Sequence, residues 1–167
     1  QRAVRAPDVL RVAGERRPAA GLHLIDALVN LAGRIATVDA KSFSRKPPPD
    51  PRDVAAALVQ FESGATGQIA TVRAGPIYWR VHVFGTKGWA EARGENAITF
   101  APMGQTPETR TLPEADSLGS LIDAFAETIE TGKPFPVPAS EMLQVVDAFE
   151  AAVQSLKTGE PVKVAGF

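Results

Sequence analysis

Hydrophobic residues recur every three to four positions in three segments, and this spacing predicts three helices. The first helix covers residues 22–32, and Gly33 is placed to end it because glycine adopts the left-handed conformation freely. The second lies between a cap at Asp116 or Ser117 and Gly132. The third starts at a possible cap, Ser140, and ends at Gly159. The apolar stripe of the second helix consists of Leu118, Leu121, Ile122, Phe125 and Ile129.

Between the first and second helices the pattern changes to the two-residue alternation of strands. In residues 35–44 this alternation places Ile35 with Thr37 on one side and Val38 on the other. The other predicted strands are 53–63, 67–74, 78–85, 88–94, 97–102 and 108–113, with a short strand at 161–164. Short turns between successive strands favour antiparallel pairing. We therefore predict an α+β fold: a mostly antiparallel, open sheet of about six or seven strands with helices packed on one face.

The composition is that of an ordinary globular protein, with 44% hydrophobic residues and a formal net charge of −1 over 167 residues. The chain has no cysteine, which excludes disulfides and thiolate metal sites and fits a reducing compartment. The sequence shows neither a run long enough to span a membrane nor a signal-peptide pattern, so we expect a cytoplasmic protein without a membrane partner. Arginines cluster near the start, but no nucleic-acid-binding motif accompanies them, so we expect no nucleic-acid partner.

The sequence lacks the motifs of a self-sufficient enzyme. It has no glycine-rich dinucleotide fingerprint, no P-loop and no nucleophile-elbow serine motif. The glycines of residues 64–67 lie between two strands and predict a hairpin turn. His23 and His82 lie 59 positions apart, which gives no metal-ligand spacing. These observations indicate either a binding or assembly module or one part of a larger enzyme, and the start at Gln1 suggests a fragment or a processed protein.

Four blocks in order resemble the C-terminal domain of the Gfo/Idh/MocA family. They are "GLHLIDALVNLAGRIATVDA", "DVAAALVQFESGATGQIATVRA", "VFGTKGWAEARGEN" and "GKPFPVPASEMLQVVDAFEAAVQSLKTGEPVKV", and together they extend from Gly21 to Val164. The family consists of NAD(P)-dependent sugar and polyol dehydrogenases. Its members have an N-terminal Rossmann domain that binds the dinucleotide, followed by an α+β domain that shapes the substrate pocket and commonly mediates oligomerisation.

The resemblance implies that this chain binds the substrate and that a missing domain binds the dinucleotide. Residues 1–20 would be an arm or connection from the missing Rossmann domain, and residues 21–167 the substrate-binding and oligomerisation domain. NAD or NADP would be bound mainly by the Rossmann domain, so we expect no cofactor in this chain and no activity from it alone. The expected partners are a small-molecule sugar or polyol substrate and a second copy of the chain, held through the sheet.

On the residues alone, a lone histidine at the place of His23 is expected to cap or orient the start of the helix. The resemblance instead indicates His23 as the candidate catalytic residue, because it matches the histidine of the family's D-x-x-x-H pattern. An imidazole titrates near neutral pH and can accept the proton that a sugar hydroxyl loses during oxidation. Asp26 lies one helical turn further on and is a candidate either for substrate binding or for holding the imidazole. Ala19 replaces the aspartate of the family pattern, which implies a different substrate or an altered activity.

Tyr78 and Arg80 are two further candidates for substrate binding, since they lie on a strand that can face the pocket in the family. Strand alternation separates them from Trp79 and groups them with His82. Packing within the sheet or at an interface is the alternative for all of these residues. Lys87 occupies the tight turn "GTKG", where a solvated lysine is expected rather than a catalytic one.

A second hypothesis belongs to a different class of function. The chain would be a stand-alone, non-catalytic interaction module that self-associates through its sheet face. The predicted strands 53–63, 67–74 and 78–85 carry both polar and apolar residues, which allows one face of the sheet to pack on helices and the other on a partner.

Overall fold

The computed structural model describes residues 9–15, 18–43, 54–72 and 78–166. The three helices are α1 (Pro18–Ala32), α2 (Ser117–Thr131) and α3 (Ala139–Thr158). The strands are β1 (Val9–Glu15), β2 (Ile35–Phe43), β3 (Val54–Phe61), β4 (Thr66–Val72), β5 (Arg80–Gly85), β6 (Gly88–Arg93), β7 (Ala97–Pro102), β8 (Glu108–Thr111) and β9 (Val162–Lys163).

In the described part of the chain, nine strands form one sheet in the order β8-β7-β6-β5-β1-β4-β3-β2-β9. Every pairing is antiparallel except that of β1 with β4, which is parallel. The predicted α+β class and mostly antiparallel sheet are confirmed. The predicted number of six or seven strands was too low for the sheet. β1, which lies in the segment predicted as an arm or short strand, occupies the centre of the sheet.

α1 and α3 cover one face of the sheet and bury the hydrophobic core against it. Leu24 and Leu28 of α1 are fully buried, as is Ala148 of α3, and they meet Val38 and Val59 of the sheet. Because the buried residues of α1 recur at helical spacing, the opposite side of this helix is left to solvent. We call the sheet face that α1 and α3 do not cover the open face.

One face assignment within β2 was wrong. The pairing of β2 with β3 shifts between Ile35 and Thr37, which marks a bulge or irregularity. An extra residue in one strand reverses the side on which the preceding side chains lie. Ile35 is therefore only 4% exposed and joins Val38 in the core, instead of lying with Thr37 on the open face.

The helix ends agree with the sequence at α2 but not at the start of α3. Asp116 caps α2, with its Oδ1 accepting a hydrogen bond from the Gly119 N–H at 2.8 Å, and Gly132 ends α2 in the left-handed conformation. α3 begins at Ala139, so its N-cap is Pro138 and not Ser140, and no side chain caps it. Pro138 has an extended backbone, and the helix starts two residues earlier than the serine pattern indicates.

The apolar stripe of α2 forms as predicted but remains uncovered. None of the residues of α2 is buried, and Leu118, Ile122 and Ile129 are between 60% and 68% exposed. Only α1 and α3 among the described helices therefore supply the layer that covers the sheet.

Candidate functional site

His23 and Asp26 lie together on the solvent side of α1. Both side chains are exposed, whereas Leu24, Ile25 and Leu28 between and beyond them are buried in the core. Residues three positions apart lie on the same side of a helix. The buried side of α1 thus holds the imidazole and the carboxylate at a fixed place on the surface of the domain.

The position of Ala19 lies one turn before His23 on the same helix. α1 begins at Pro18, so position 19 belongs to its first turn. Positions four apart share a helix face, which places 19, 23 and 26 along one side.

Tyr78 and Arg80 do not join His23. Arg80 lies on the open face, because its neighbour Val81 is buried in the core with α1 and successive side chains of a strand alternate. His23 projects from a helix on the other side of the sheet. Tyr78 precedes β5 and is 44% exposed. The structure therefore brings together His23 and Asp26, and places Arg80 elsewhere.

Arg80 belongs instead to an ionic network that sequence reasoning missed. The network contains Glu91, which is only 6% exposed, and the two arginines Arg80 and Arg93. Arg80 Nε lies 2.5 Å from Glu91 Oε1, and Arg93 Nη2 lies 3.3 Å from the same oxygen. A buried carboxylate is costly unless it is paired and hydrogen-bonded, and the two guanidinium groups meet both requirements.

His82 extends this network toward an aromatic group on the same face. Arg80 Nη2 lies 3.1 Å from His82 Nδ1, and the guanidinium can only donate, so Nδ1 accepts. The imidazole lies 4.1 Å from the Phe84 ring and 5.1 Å from the Trp89 ring, measured between centroids. A signal for this arrangement exists in the sequence. The two-residue turn of Thr86 and Lys87 fixes the hairpin register, and that register sets His82 opposite Glu91.

A shallow groove of about 330 Å³ lies on the other half of the open face. Its lining combines hydroxyl, amide and carboxylate groups with the apolar side chains of Leu58, Val59 and Pro161. Thr37 donates a hydrogen bond to the Gln60 side chain at 3.1 Å and so orders one wall. The polar residues that line the groove are Thr37, Asp39, Gln60, Thr66 and Gln68.

The described residues do not fit a dinucleotide. A dinucleotide pyrophosphate needs a glycine-rich turn from a strand into the N-terminus of a helix. The N-terminus of α2 already binds the carboxylate of Asp116, where a phosphate would be repelled, and α3 begins after Pro138. The sequence between β1 and α1 contains no glycine.

Within the described ranges, no group of three or more His, Asp or Glu side chains is placed to hold a metal ion. Likewise, no helix of the described chain is long and apolar enough to cross a membrane.

Comparison with protein families matches residues 19–91 to the GFO/IDH/MocA C-terminal domain. This segment, somewhat less than half of the chain, is similar to the C-terminal domain of that family. The resemblance predicted from the sequence blocks is thereby confirmed, and the match includes His23, Asp26 and the Arg80–Glu91 pair. A search of curated proteins finds no match.

Solved structures share this fold at low sequence identity. UDP-N-acetylglucosamine 3-dehydrogenase from Acidithiobacillus ferrooxidans is 19% identical, with a TM-score of 0.80 over 91% of this chain and 54% of its own. Aldose-aldose oxidoreductase from Caulobacter crescentus, complexed with glycerol, is 20% identical, with a TM-score of 0.80 over 95% of this chain and 56% of its own. Levoglucosan dehydrogenase, in complex with NADH and L-sorbose, is 18% identical, with a TM-score of 0.77 over 95% of this chain and 58% of its own. The chain thus spans little more than half the length of these proteins.

Proposed function

We propose that this chain is the substrate-binding and oligomerisation domain of an NAD(P)-dependent sugar or polyol dehydrogenase, inactive without a dinucleotide-binding Rossmann domain. The observation that carries the proposal is the exposed pair His23 and Asp26, held on α1 inside the segment that matches the family. The similar structures support this substrate class, since they include dehydrogenases of a nucleotide sugar and of levoglucosan.

His23 is the catalytic residue of this proposal. Oxidation of a secondary alcohol requires its hydroxyl proton to leave, and an exposed imidazole can accept that proton through its free nitrogen. Asp26 lies close enough along the helix to bind a neighbouring substrate hydroxyl or to orient the imidazole. Tyr78 remains a candidate for contact with the substrate, whereas we assign Arg80 to the open face.

The test is a panel of sugars and polyols assayed with NAD⁺ and with NADP⁺ on the full-length protein. We expect turnover of at least one substrate, and a loss of about 10²- to 10⁴-fold in kcat for His23→Ala. Asn30→Ala, which changes another exposed residue of α1, is the matched control and should leave kcat unchanged. Unchanged kinetics of His23→Ala would remove the catalytic assignment.

Ala19 offers a gain-of-function test of the same site. Ala19→Asp restores the carboxylate of the family pattern one turn before His23. A carboxylate near an imidazole favours its protonated form and raises its basicity. We expect a higher kcat/KM for polyol oxidation and a shift of the pH–rate profile to higher pH. An Ala19→Asn variant, which adds similar volume without charge, separates the electrostatic effect from a steric one.

Self-association through the open face is the second part of the proposal. Phe43, Leu58 and Val72 of this face are 65%, 56% and 45% exposed, which is unusual for three large apolar side chains on one sheet. Nine strands spaced about 4.8 Å apart and about 20 Å long present roughly 800 Å², the area that each partner buries in a standard interface. The same face would serve a stand-alone interaction module if no Rossmann domain accompanies the chain.

Light scattering of wild type and two glutamate variants tests this second part. Leu58→Glu places a charge in the open face and should convert an oligomer to a monomer at micromolar concentration. Met103→Glu changes a side chain that is 72% exposed in the turn after β7 and should leave the oligomer intact. A wild-type monomer at high concentration would contradict the proposed interface.

A further inference from the structure

β8 forms one edge of the sheet in the described part of the chain. It pairs with β7 on one side, and no described strand lies on its other side. All the residues of β8 are exposed. An edge strand presents a row of backbone N–H and C=O groups that can pair with a further strand.

The register of β8 with β7 decides which backbone groups of β8 face outward. Leu112 N–H, just after the strand, donates to the Asn96 carbonyl at 2.6 Å. The register is constant along β8, and hydrogen-bonded pairs alternate with non-hydrogen-bonded pairs in an antiparallel ladder. The even-numbered residues of β8 therefore direct their backbone groups toward β7, whereas Thr109 and Thr111 direct theirs outward.

The side chains of Glu108 and Arg110 lie on the opposite side of the sheet from the open face. Val81 is buried in the core, and the pairings across β6 and β7 place Arg110 on the same side of the sheet as Val81. Arg110 Nε donates a hydrogen bond to Glu108 Oε1 at 2.8 Å, and the two side chains are 64% and 65% exposed. A partner on the open face would lie on the other side of the sheet from this ion pair.

The charges of β8 are complementary to those of a second copy of the same strand in one register. Two copies related by a two-fold axis through the sheet pair their edge strands antiparallel. With Thr109 opposite its own copy, each Glu108 lies opposite an Arg110, at the close spacing of a non-hydrogen-bonded pair. Centring the pair on residue 108 would set two glutamates opposite each other, and centring it on residue 110 would set two arginines opposite each other. Like charges directly opposite are destabilising, so the charges favour the register centred on Thr109.

The backbone of β8 fits the same register. Thr109 would exchange hydrogen bonds with its copy, and the Thr111 N–H of each chain would donate to the Pro107 carbonyl of the other. Pro107 has no N–H, so the pairing ends there instead of extending along the chain. Threonine is also among the residues enriched in strands, because its branched side chain packs well on a pleated surface.

We propose that β8 is a self-association surface, at which a second copy of this chain adds its own β8 antiparallel and continues the sheet across the two molecules. The opposite charges at residues 108 and 110 select the partner, and the like charges that the neighbouring alignments bring together exclude those alignments. A contact of this size buries less than about 1,200 Å², which is typical of weak complexes, so we expect dimers well above the micromolar range. The proposal depends neither on the substrate nor on association through the open face.

Charge reversal in the full-length protein tests this inference. All variants carry Leu58→Glu, so that association through the open face does not obscure association through β8. We expect analytical ultracentrifugation to show a concentration-dependent dimer for Leu58→Glu alone. Adding either Glu108→Arg or Arg110→Glu should raise the dissociation constant at least tenfold, because each change sets like charges opposite each other.

Restored complementarity is the second part of this test. An equimolar mixture of the Glu108→Arg and Arg110→Glu proteins should form a mixed dimer, since every arginine then lies opposite a glutamate. Glu114→Arg, which makes the same charge change at an exposed position after β8, is the matched control and should leave the dissociation constant unchanged. A Leu58→Glu protein that is monomeric at every concentration, or a mixture that does not associate, would overturn the inference.

Hydrogen exchange gives a readout that does not depend on charge. The amide protons of Thr109 and Thr111 should become protected as the concentration of the Leu58→Glu protein rises, whereas that of Glu114 should not. Thr109→Pro removes an outward N–H at a position where an edge strand tolerates proline, so it should abolish the dimer and keep the fold. A dimer that persists in Thr109→Pro, or one that protects neither threonine, would equally overturn the proposed pairing.

Discussion

Ser155 Oγ accepts a hydrogen bond from the backbone N–H of Ala40 at 2.8 Å and donates one to the Glu160 carbonyl at 2.7 Å. Ser155 is completely buried on α3, and Ala40 lies on β2 beyond the two residues that pair with β9. An unpaired strand N–H at a buried edge would be costly. The Ser155 hydroxyl therefore provides a hydrogen-bond partner for a backbone N–H of β2 and for the backbone carbonyl of Glu160, just after α3. The two bonds link the helix to the strand.

Replacing Ser155 by alanine should destabilise the domain by about 1–3 kcal/mol, because it leaves the Ala40 N–H and the Glu160 carbonyl without this partner. Urea unfolding of the full-length protein measures the change. Ser140→Ala is the matched control, since Ser140 is exposed, belongs to the same helix and is not its cap. We expect the control to change the unfolding free energy by no more than about 0.5 kcal/mol. Equal effects of the two variants would contradict the role assigned to the Ser155 hydroxyl.

The two arginines that bind Glu91 should contribute unequally to the unfolding free energy of the domain. Arg80→Met removes the closer and more buried guanidinium, whose side chain is 36% exposed, and should cost about 1–3 kcal/mol of unfolding free energy. Arg93 is 63% exposed, so Arg93→Met should cost no more than about 1 kcal/mol. Chemical denaturation of both variants measures the difference, and a larger effect for Arg93 would reverse our account of the network.

Gly88 should tolerate alanine much less well than Gly94. A Cβ at Gly88 would lie 2.2 Å from the Ala101 carbonyl oxygen, and its φ of +135° already disfavours other residues. Gly94 has a φ of +62° with open space around the same position, so Gly94→Ala should cost only about 1–2 kcal/mol of strain. Thermal unfolding should show a clearly larger fall in Tm for Gly88→Ala, and similar values for both variants would show that β7 moves aside without strain.

Glu108 and Arg110 give a pH-dependent prediction on the exposed edge strand β8. The Arg110 guanidinium donates a hydrogen bond to the Glu108 carboxylate and attracts its charge, which holds the pKa of Glu108 below its ordinary value. Because the folded-state pKa is lowered, the stabilisation is present above the ordinary pKa of glutamate and is lost as the pH falls through the lowered value.

Arg110→Gln should return the pKa of Glu108 toward its ordinary value, as measured by NMR titration of the carboxyl carbon. High salt should produce a smaller shift in the same direction in the wild-type protein, because both side chains are exposed and their attraction is screened. A pKa of Glu108 that is the same in wild type and variant would mean that the ion pair does not form in solution.

The candidate site was predictable in part. The apolar period of residues 22–32 fixed which side of α1 is buried, and so left His23 and Asp26 on the outside. The separation of Arg80 from His23 was not predictable, because it depends on which face of the sheet α1 covers. The burial of Glu91 was not predicted, because a single charged residue in a strand is normally expected to face solvent. Only the pairing across the hairpin brings its partners close to it.

The sequence by itself determined the elements that depend on local pattern and turn chemistry. These include the antiparallel pairing of β3 with β4, the hairpin of β5 with β6, the α1 stripe and the caps at Asp116 and Gly132. Each follows from contacts between residues close in the chain, whose geometry a short stretch can specify.

Only the tertiary structure decided the central place of β1, the turn of Ile35 into the core and the exposure of the α2 stripe. β1 reaches its place by pairing in parallel with β4, more than fifty positions away, and no local period encodes such a partner. Hydrophobic periodicity shows which side of an element should be buried, but only the packing of distant segments decides what buries it.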